Sequence, residues 1–197
     1  MKAVFRVAVA GALVASTLAL SGCLPLAAMD RRTIGAQTED QEIELRARGQ
    51  LGQAIAESGG ISVTSFNRKV LLTGQVASEQ DRTNAERIVA ELPNVRSVHN
   101  ELQVLGRSSF TTSAADTSIT ARVKAALIEA PDLQANTIKV VTESGTVFLM
   151  GLVSQREAAR AAQVASRVSG VQRVVTVFEL ISEEEVTAAK QRTQQAQ

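Results

Sequence analysis

Val147-Phe148-Leu149-Met150-Gly151-Leu152-Val153 is an apolar run of seven residues interrupted by one glycine, and the turn signal Glu143-Ser144-Gly145 stands just before it. A run so short and so apolar reads as a buried strand, the second of a hairpin whose first strand is the alternating stretch 136–141. The same run stands earlier as Val70-Leu71-Leu72-Thr73-Gly74-Gln75-Val76. Beyond it, Ser78, Ala85, Ile88, Leu92, Val95 and Val98 match Ser154, Ala161, Val164, Val168, Val171 and Val174 once Ala77 is counted as a single insertion. The chain therefore holds two copies of one unit.

Working outward, Ile119, Val123, Ala126 and Leu127 recur at helical spacing ahead of the second hairpin, with Asp116 or Ser118 available as a cap. After it, Ser154 opens a helix whose inward face carries Ala158, Ala161, Val164, Ala165 and Val168; Gly170 ends it, and 171–181 is a closing strand. The first copy repeats the plan with a helix over 41–57, strands at 61–65 and 69–76, a helix over 79–92 and a strand at 95–104. Each copy is thus α-β-β-α-β, an α+β unit with two helices packed on one face of a three-stranded sheet. The expected domains are 41–104 and 116–181, joined by a Ser/Thr-rich linker at 105–115 and followed by a polar tail at 182–197 that reads as a frayed helix or disorder. Gly74 and Gly151, at the same place in both copies, are expected to let a helix or the other domain approach the strand closely.

The N-terminus has another character. Lys2 and Arg6, the uncharged stretch 7–20 and small Ser21 and Gly22 make residues 1–22 a secretory signal, too short in its apolar part to span a bilayer. Leu20-Ser21-Gly22-Cys23 ends in the chain's one cysteine and looks like a lipobox, so Cys23 is expected to carry acyl chains rather than serve as a free thiol. Leu24 follows where bacterial lipoproteins kept in the inner membrane usually carry Asp, which resembles sorting to the outer membrane, with the chain facing the periplasm. The polar, poorly periodic residues 23–40 are expected to be a flexible tether, its last 15 or so residues spanning about 20 Å as a coil.

Composition excludes several function classes. Without residues 1–22 the chain has 19 basic and 20 acidic side chains, no electrostatic footprint for nucleic acid. It has five Phe and no Trp or Tyr, so the core must be aliphatic and no stacking platform exists. The one histidine, His99, has no cysteine or carboxylate cluster at ligand spacing, and reads as a strand-surface residue rather than a metal ligand. Ser78 and Ser154 open helices and read as caps, not nucleophiles. Neither Gly74 nor Gly151 belongs to a phosphate loop, and no cofactor is expected.

The α-β-β-α-β order, with an apolar strand ending in Gly-x-Val and a closing Val-x-x-Val strand, resembles the BON domain, over both repeats from about residue 41 to 181. The resemblance implies a non-enzymatic periplasmic lipoprotein that binds anionic phospholipid through its second domain and supports the integrity of the envelope. On a helical wheel, Ile128 falls opposite the inward stripe beside Ala121, Ala125 and Lys124, with Arg122 and Ser118 further round. That ridge suits headgroups and phosphates if the other domain leaves it uncovered. Related lipoproteins often carry Trp where this chain has Ser118, and an indole ring anchors better than a hydroxyl. The matching helix of the first copy has Gly52 for Ile128, with Glu42 and Glu44 beside Arg46 and Arg48, and has no such ridge. The alternative reading is an adaptor that recruits an envelope or peptidoglycan-remodelling protein.

Overall fold

The computed structural model describes residues 30–55, 60–104 and 113–195, the side chains of 113 and 192–195 excepted. The signal peptide, Cys23 and the linker at 105–112 lie outside the described residues. The first domain runs α1 (Ile34–Ala54), β1 (Ile61–Phe66), β2 (Lys69–Val76), α2 (Glu79–Ala90), β3 (Ser97–Asn100) and β4 (Gln103–Val104). The second runs α3 (Ser113–Glu129), a 3-10 turn at Ala135–Thr137, β5 (Ile138–Glu143), β6 (Thr146–Val153), α4 (Gln155–Ser166) and β7 (Arg173–Leu180), and α5 (Glu183–Gln195) follows.

In both sheets the apolar run is the central strand. β2 pairs antiparallel with β1 and parallel with β3 and β4, which are the expected closing strand broken at residues 101–102. β6 pairs antiparallel with β5 and parallel with β7 along its whole length. Alternate residues of each central strand point to different layers. Val70, Leu72 and Val76 meet α1 and α2, and Val147, Leu149 and Val153 meet α3 and α4. Leu71, Phe148 and Met150 point the other way, into a third core shared with Phe66 and Val177. The two sheets therefore pack face to face, each covering the side its own helices leave bare, and the molecule is four layers deep. Polar pairs rim this interface: Lys139 reaches Glu44 at 3.2 Å, Arg96 and Asn67 both reach Glu179, and Arg173 reaches Glu101 at 2.8 Å.

Small polar devices fix the ends. Ser78 and Ser154 cap their helices, as the sequence led us to expect: Ser78 accepts from the Asp81 N–H, and Ser154 goes further, forming a reciprocal capping box with Glu157. Asp116 is not a cap. α3 begins at Ser113, and the Asp116 carboxylate, buried inside the helix, accepts from the N–H groups of Ser144 and Gly145 at 2.7 and 2.9 Å, holding the hairpin turn. Asp40, its counterpart in the first copy, does the same for Asn67 and Arg68 and takes the Ser65 hydroxyl at 2.6 Å.

Gly74 and Gly151 also differ from expectation in their neighbour. What approaches them is neither a helix nor the other domain but the backbone entering the paired strand: an added β-carbon would lie 1.8 Å from the Gly60 carbonyl oxygen at Gly74 and 2.7 Å from that of Thr137 at Gly151. Gly74 also sits at φ +108°, where side chains are strained by about 1–3 kcal/mol. Gly74→Ala is expected to cost about 3 kcal/mol, more than Gly151→Ala, measured by chemical unfolding followed by circular dichroism.

Two stretches expected to be loose are built into the body. α1 starts at Ile34 behind a Thr33 cap, seven residues before the expected start, so 34–40 is helix and not tether. Before it, residues 30–33 form a strap across both domains. Arg32 lies 4.0 Å over the Phe66 ring and pairs with Asp40 at 2.7 Å. Arg31 reaches into the second domain, its Nη1 donating to the Leu152 carbonyl and Glu157 Oε2 at 2.7 Å, its Nη2 to Glu157 Oε1 and Gln134 Oε1 at 2.8 Å. Both side chains of the Arg31–Glu157 pair are under 5% exposed, at 4% and 3%. At the other end of the chain the expected frayed tail is helix α5, with Val186 and Ala189 buried.

Candidate functional site

The outer face of α3 is set by the residues that bury its inner face. Ile119, Val123 and Leu127 pack into the core of the second domain. Ser118, Ala121, Arg122, Lys124, Ala125 and Ile128 are all exposed, Ile128 to 72%. The first domain does not cover this ridge, because the domains meet through their sheets and leave both helix layers outside. Ile128 is one of few large apolar side chains so exposed among the described residues.

Among the described residues, neither Arg122 nor Lys124 makes an ion pair or a hydrogen bond to an acid. Arg122 lies along the Gly170 turn, where an added β-carbon would stand 3.2 Å from its Nη2. The first domain shows what the alternative looks like. At the same places on α1, Arg46 pairs with Glu42 at 2.5 Å and Arg48 with Glu44 at 3.0 Å, each one helical turn apart. In α3 the two glutamates are replaced by Ser118 and by Thr120, which bonds the Thr142 hydroxyl at 2.7 Å instead. One scaffold thus presents neutralised cations on one helix and unpaired cations beside an exposed isoleucine on the other. Gly52, at the place of Ile128, has nothing within 4 Å of an added β-carbon, so the first domain offers open space there. Against the expectation of no ridge, it exposes Leu45 to 71% at the place of Ala121, but between arginines that are already paired.

The strap docks on the second domain just past the turn that follows α3. Gln134, which takes a bond from Arg31, follows the end of α3 through a tight turn in which Ala130 N–H donates to Leu127 and Leu133 N–H to Ala130. Burial pushes the Glu157 carboxyl up, but the Arg31 hydrogen bonds, the Ser154 N–H and the charges of Arg31 and Lys190 outweigh it and hold the group below the ordinary carboxylate range. Burial, with the Asp116 charge adding to it, pushes up the carboxyl of Glu143, the last residue of β5.

Arg31 and Glu157 were not singled out by sequence reasoning. The Ser154-x-x-Glu157 spacing announces a capping box, but nothing announces its partner 126 residues away. Asp40 and Asp116 could have been found, since they occupy the same place in the two copies. Elsewhere, His99 is exposed on β3. Among the described residues no group of three or more metal-ligating side chains occurs, and no helix is long and apolar enough to cross a membrane.

Comparison with known proteins gives this architecture a family. The BON domain pattern matches twice, over residues 39–106 and 115–181. The chain is 32% identical over 181 residues to the outer membrane lipoprotein DolP of Haemophilus influenzae, covering 86% of this chain and 94% of that one. It is 32% identical over 155 residues to the 21 kDa hemolysin of Actinobacillus pleuropneumoniae, covering 78% and 80%. The osmotically-inducible protein Y of Escherichia coli is 33% identical over 121 residues, or 60% of each chain. With both matched segments coinciding with the two α-β-β-α-β units, this chain belongs to the BON domain family as a dual BON protein resembling DolP.

Proposed function

We propose that this chain is a lipoprotein of the outer membrane, acylated at Cys23, whose second BON domain contacts anionic phospholipid through the outer face of α3. The similarity to a protein named an outer membrane lipoprotein supports the location, and the lipobox supports the anchor. The single observation that carries the lipid contact is the difference between the two outer helices: Arg46 and Arg48 are neutralised by Glu42 and Glu44, while Arg122 and Lys124 stand unpaired beside Ile128. Each base contributes about 1 kcal/mol against an anionic leaflet. Burying Ile128 among acyl chains contributes about 1.5–3 kcal/mol more. That sum is a weak interaction for a free protein. Attachment through Cys23 raises the effective concentration of the face at the bilayer, so a weak contact is occupied.

The test uses the chain without its acyl anchor and phosphatidylglycerol vesicles. Lys124→Glu and Ile128→Asp are each expected to lower binding at least tenfold, while Arg46→Glu on the first domain leaves it unchanged. Raising the salt concentration should weaken binding of the native chain and have little further effect on Lys124→Glu. Equal binding by all four chains would overturn the reading.

A further inference from the structure

We infer that the lipid anchor leaves the folded body beside the second domain, so that this domain, the later one in sequence, is the one held against the bilayer. The inference rests on Cys23 being the lipidated residue and deepens the proposed function by giving the α3 face its position. Sequence order alone would put the first domain next to the anchor, since it follows the N-terminus. The strap brings the chain to the second domain first, at Arg31, and to the first domain only with the next residue, Arg32, which meets Asp40 and Phe66. Arg31 is pinned by four hydrogen bonds to Leu152, Glu157 and Gln134, all in the second domain. Its side chain is 4% exposed and that of Glu157 3%, so the pin is a built part of the interior and not a surface ion pair.

Distances along the chain set the geometry. Cys23 precedes Arg31 by eight residues, which limits its reach from that point to about 28 Å. Ile128 lies one residue from the end of α3, and Gln134, a receiver of the Arg31 fork, follows that end through the turn at residues 130–133. The corresponding position of the first domain is remote. Gly52 stands eighteen residues into α1 from Ile34, a run of about 27 Å away from the strap. The repeat has therefore placed its two equivalent positions at opposite distances from the point where the anchor emerges.

The absence of Trp and Tyr and the presence of a single cysteine make the test direct. The mature chain from Cys23 is coupled through that thiol to a maleimide lipid in phosphatidylcholine vesicles, which carry no anionic headgroup for α3 to read. Energy transfer to a dansyl lipid is measured from a single tryptophan, in Ile128→Trp or in Gly52→Trp. Transfer from the α3 site is expected to exceed that from the α1 site at least threefold; equal or reversed values overturn the inference. In the Arg31→Met/Glu157→Gln background, which leaves no lone charge buried, the difference should fall by at least half, with the circular dichroism spectrum unchanged. A difference that survives loss of the pin also overturns the inference. Failure of the proposed lipid contact would show elsewhere, as absent binding of the uncoupled native chain to phosphatidylglycerol vesicles, and leaves the transfer measurement readable.

Discussion

Arg31→Ala is expected to cost about 3–5 kcal/mol of unfolding free energy at neutral pH, although Arg31 lies outside both sheets. The cost arises in the second domain. Glu157 is almost wholly buried, and without the guanidinium fork its charge keeps only the Ser154 N–H and the more distant Lys190. The Leu152 carbonyl and the Gln134 side chain lose a donor as well. The pH dependence follows from the sign of the shift. In the native chain the folded Glu157 carboxyl lies below its ordinary value of 4.5, so its contribution is fully present above that pH and is lost as pH falls through the folded value. In Arg31→Ala the burial that opposes ionisation is no longer outweighed and the folded carboxyl rises above its ordinary value. The deficit should therefore begin to shrink already above pH 4.5, as that carboxyl takes up its proton, and go on shrinking as pH falls through the native chain's lower value. Glu157→Gln added to Arg31→Ala should recover part of the neutral-pH loss, because the orphaned charge is gone. Denaturant unfolding by circular dichroism across pH measures all three; a deficit independent of pH would show that Glu157 is not the source.

The second large effect is expected at the layer between the sheets. Met150 is fully buried there, with Phe148, Leu71, Phe66 and Val177 as its neighbours. Met150→Asp places a carboxylate in that apolar layer, where the cross-strand Lys139 is already engaged by Glu44, at a cost of several kcal/mol. The sheets can escape that cost by separating. The native chain should unfold in one transition, because its domains share a core, and Met150→Asp in two, at lower denaturant concentration, with dye-binding apolar surface exposed between them. Leu149→Ala makes the contrast. Leu149 faces α3 and α4, so its truncation should cost about 2–5 kcal/mol while leaving a single transition. Two transitions in both variants, or one in both, would contradict the assignment of the layers.

Much of this fold was legible because the sequence repeats its own solution. The central strands, the hairpins and the capped helices α2 and α4 each have two witnesses, and where the witnesses agree the structure follows them. The outer face of α3 was legible for the same reason, since α1 displays the neutralised version of the same surface. What escaped reading depends on groups that periodicity does not see. The first two turns of α1 carry no inward apolar residue, and their inward position is held by Asp40, a polar side chain whose partners lie in a turn about 27 residues on. The tail helix α5 buries only Val186 and Ala189 of its described residues, too sparse a stripe to separate it from a polar coil. Arg31 is one arginine in a polar stretch until Glu157, in the other half of the chain, gives it an address.

The shared layer has a consequence for the fate of the halves. Leu71 and Phe66 on one side and Phe148, Met150 and Val177 on the other are covered only because the sister sheet is present. A single BON unit cut from this chain would carry an apolar sheet face into water, and would precipitate, swap partners or occupy a chaperone until another copy covered it. A proteolytic nick in the linker between the units, by contrast, would leave two fragments clasped together. In this protein the second copy of the module is therefore a solubility device for the first, before either has met a membrane.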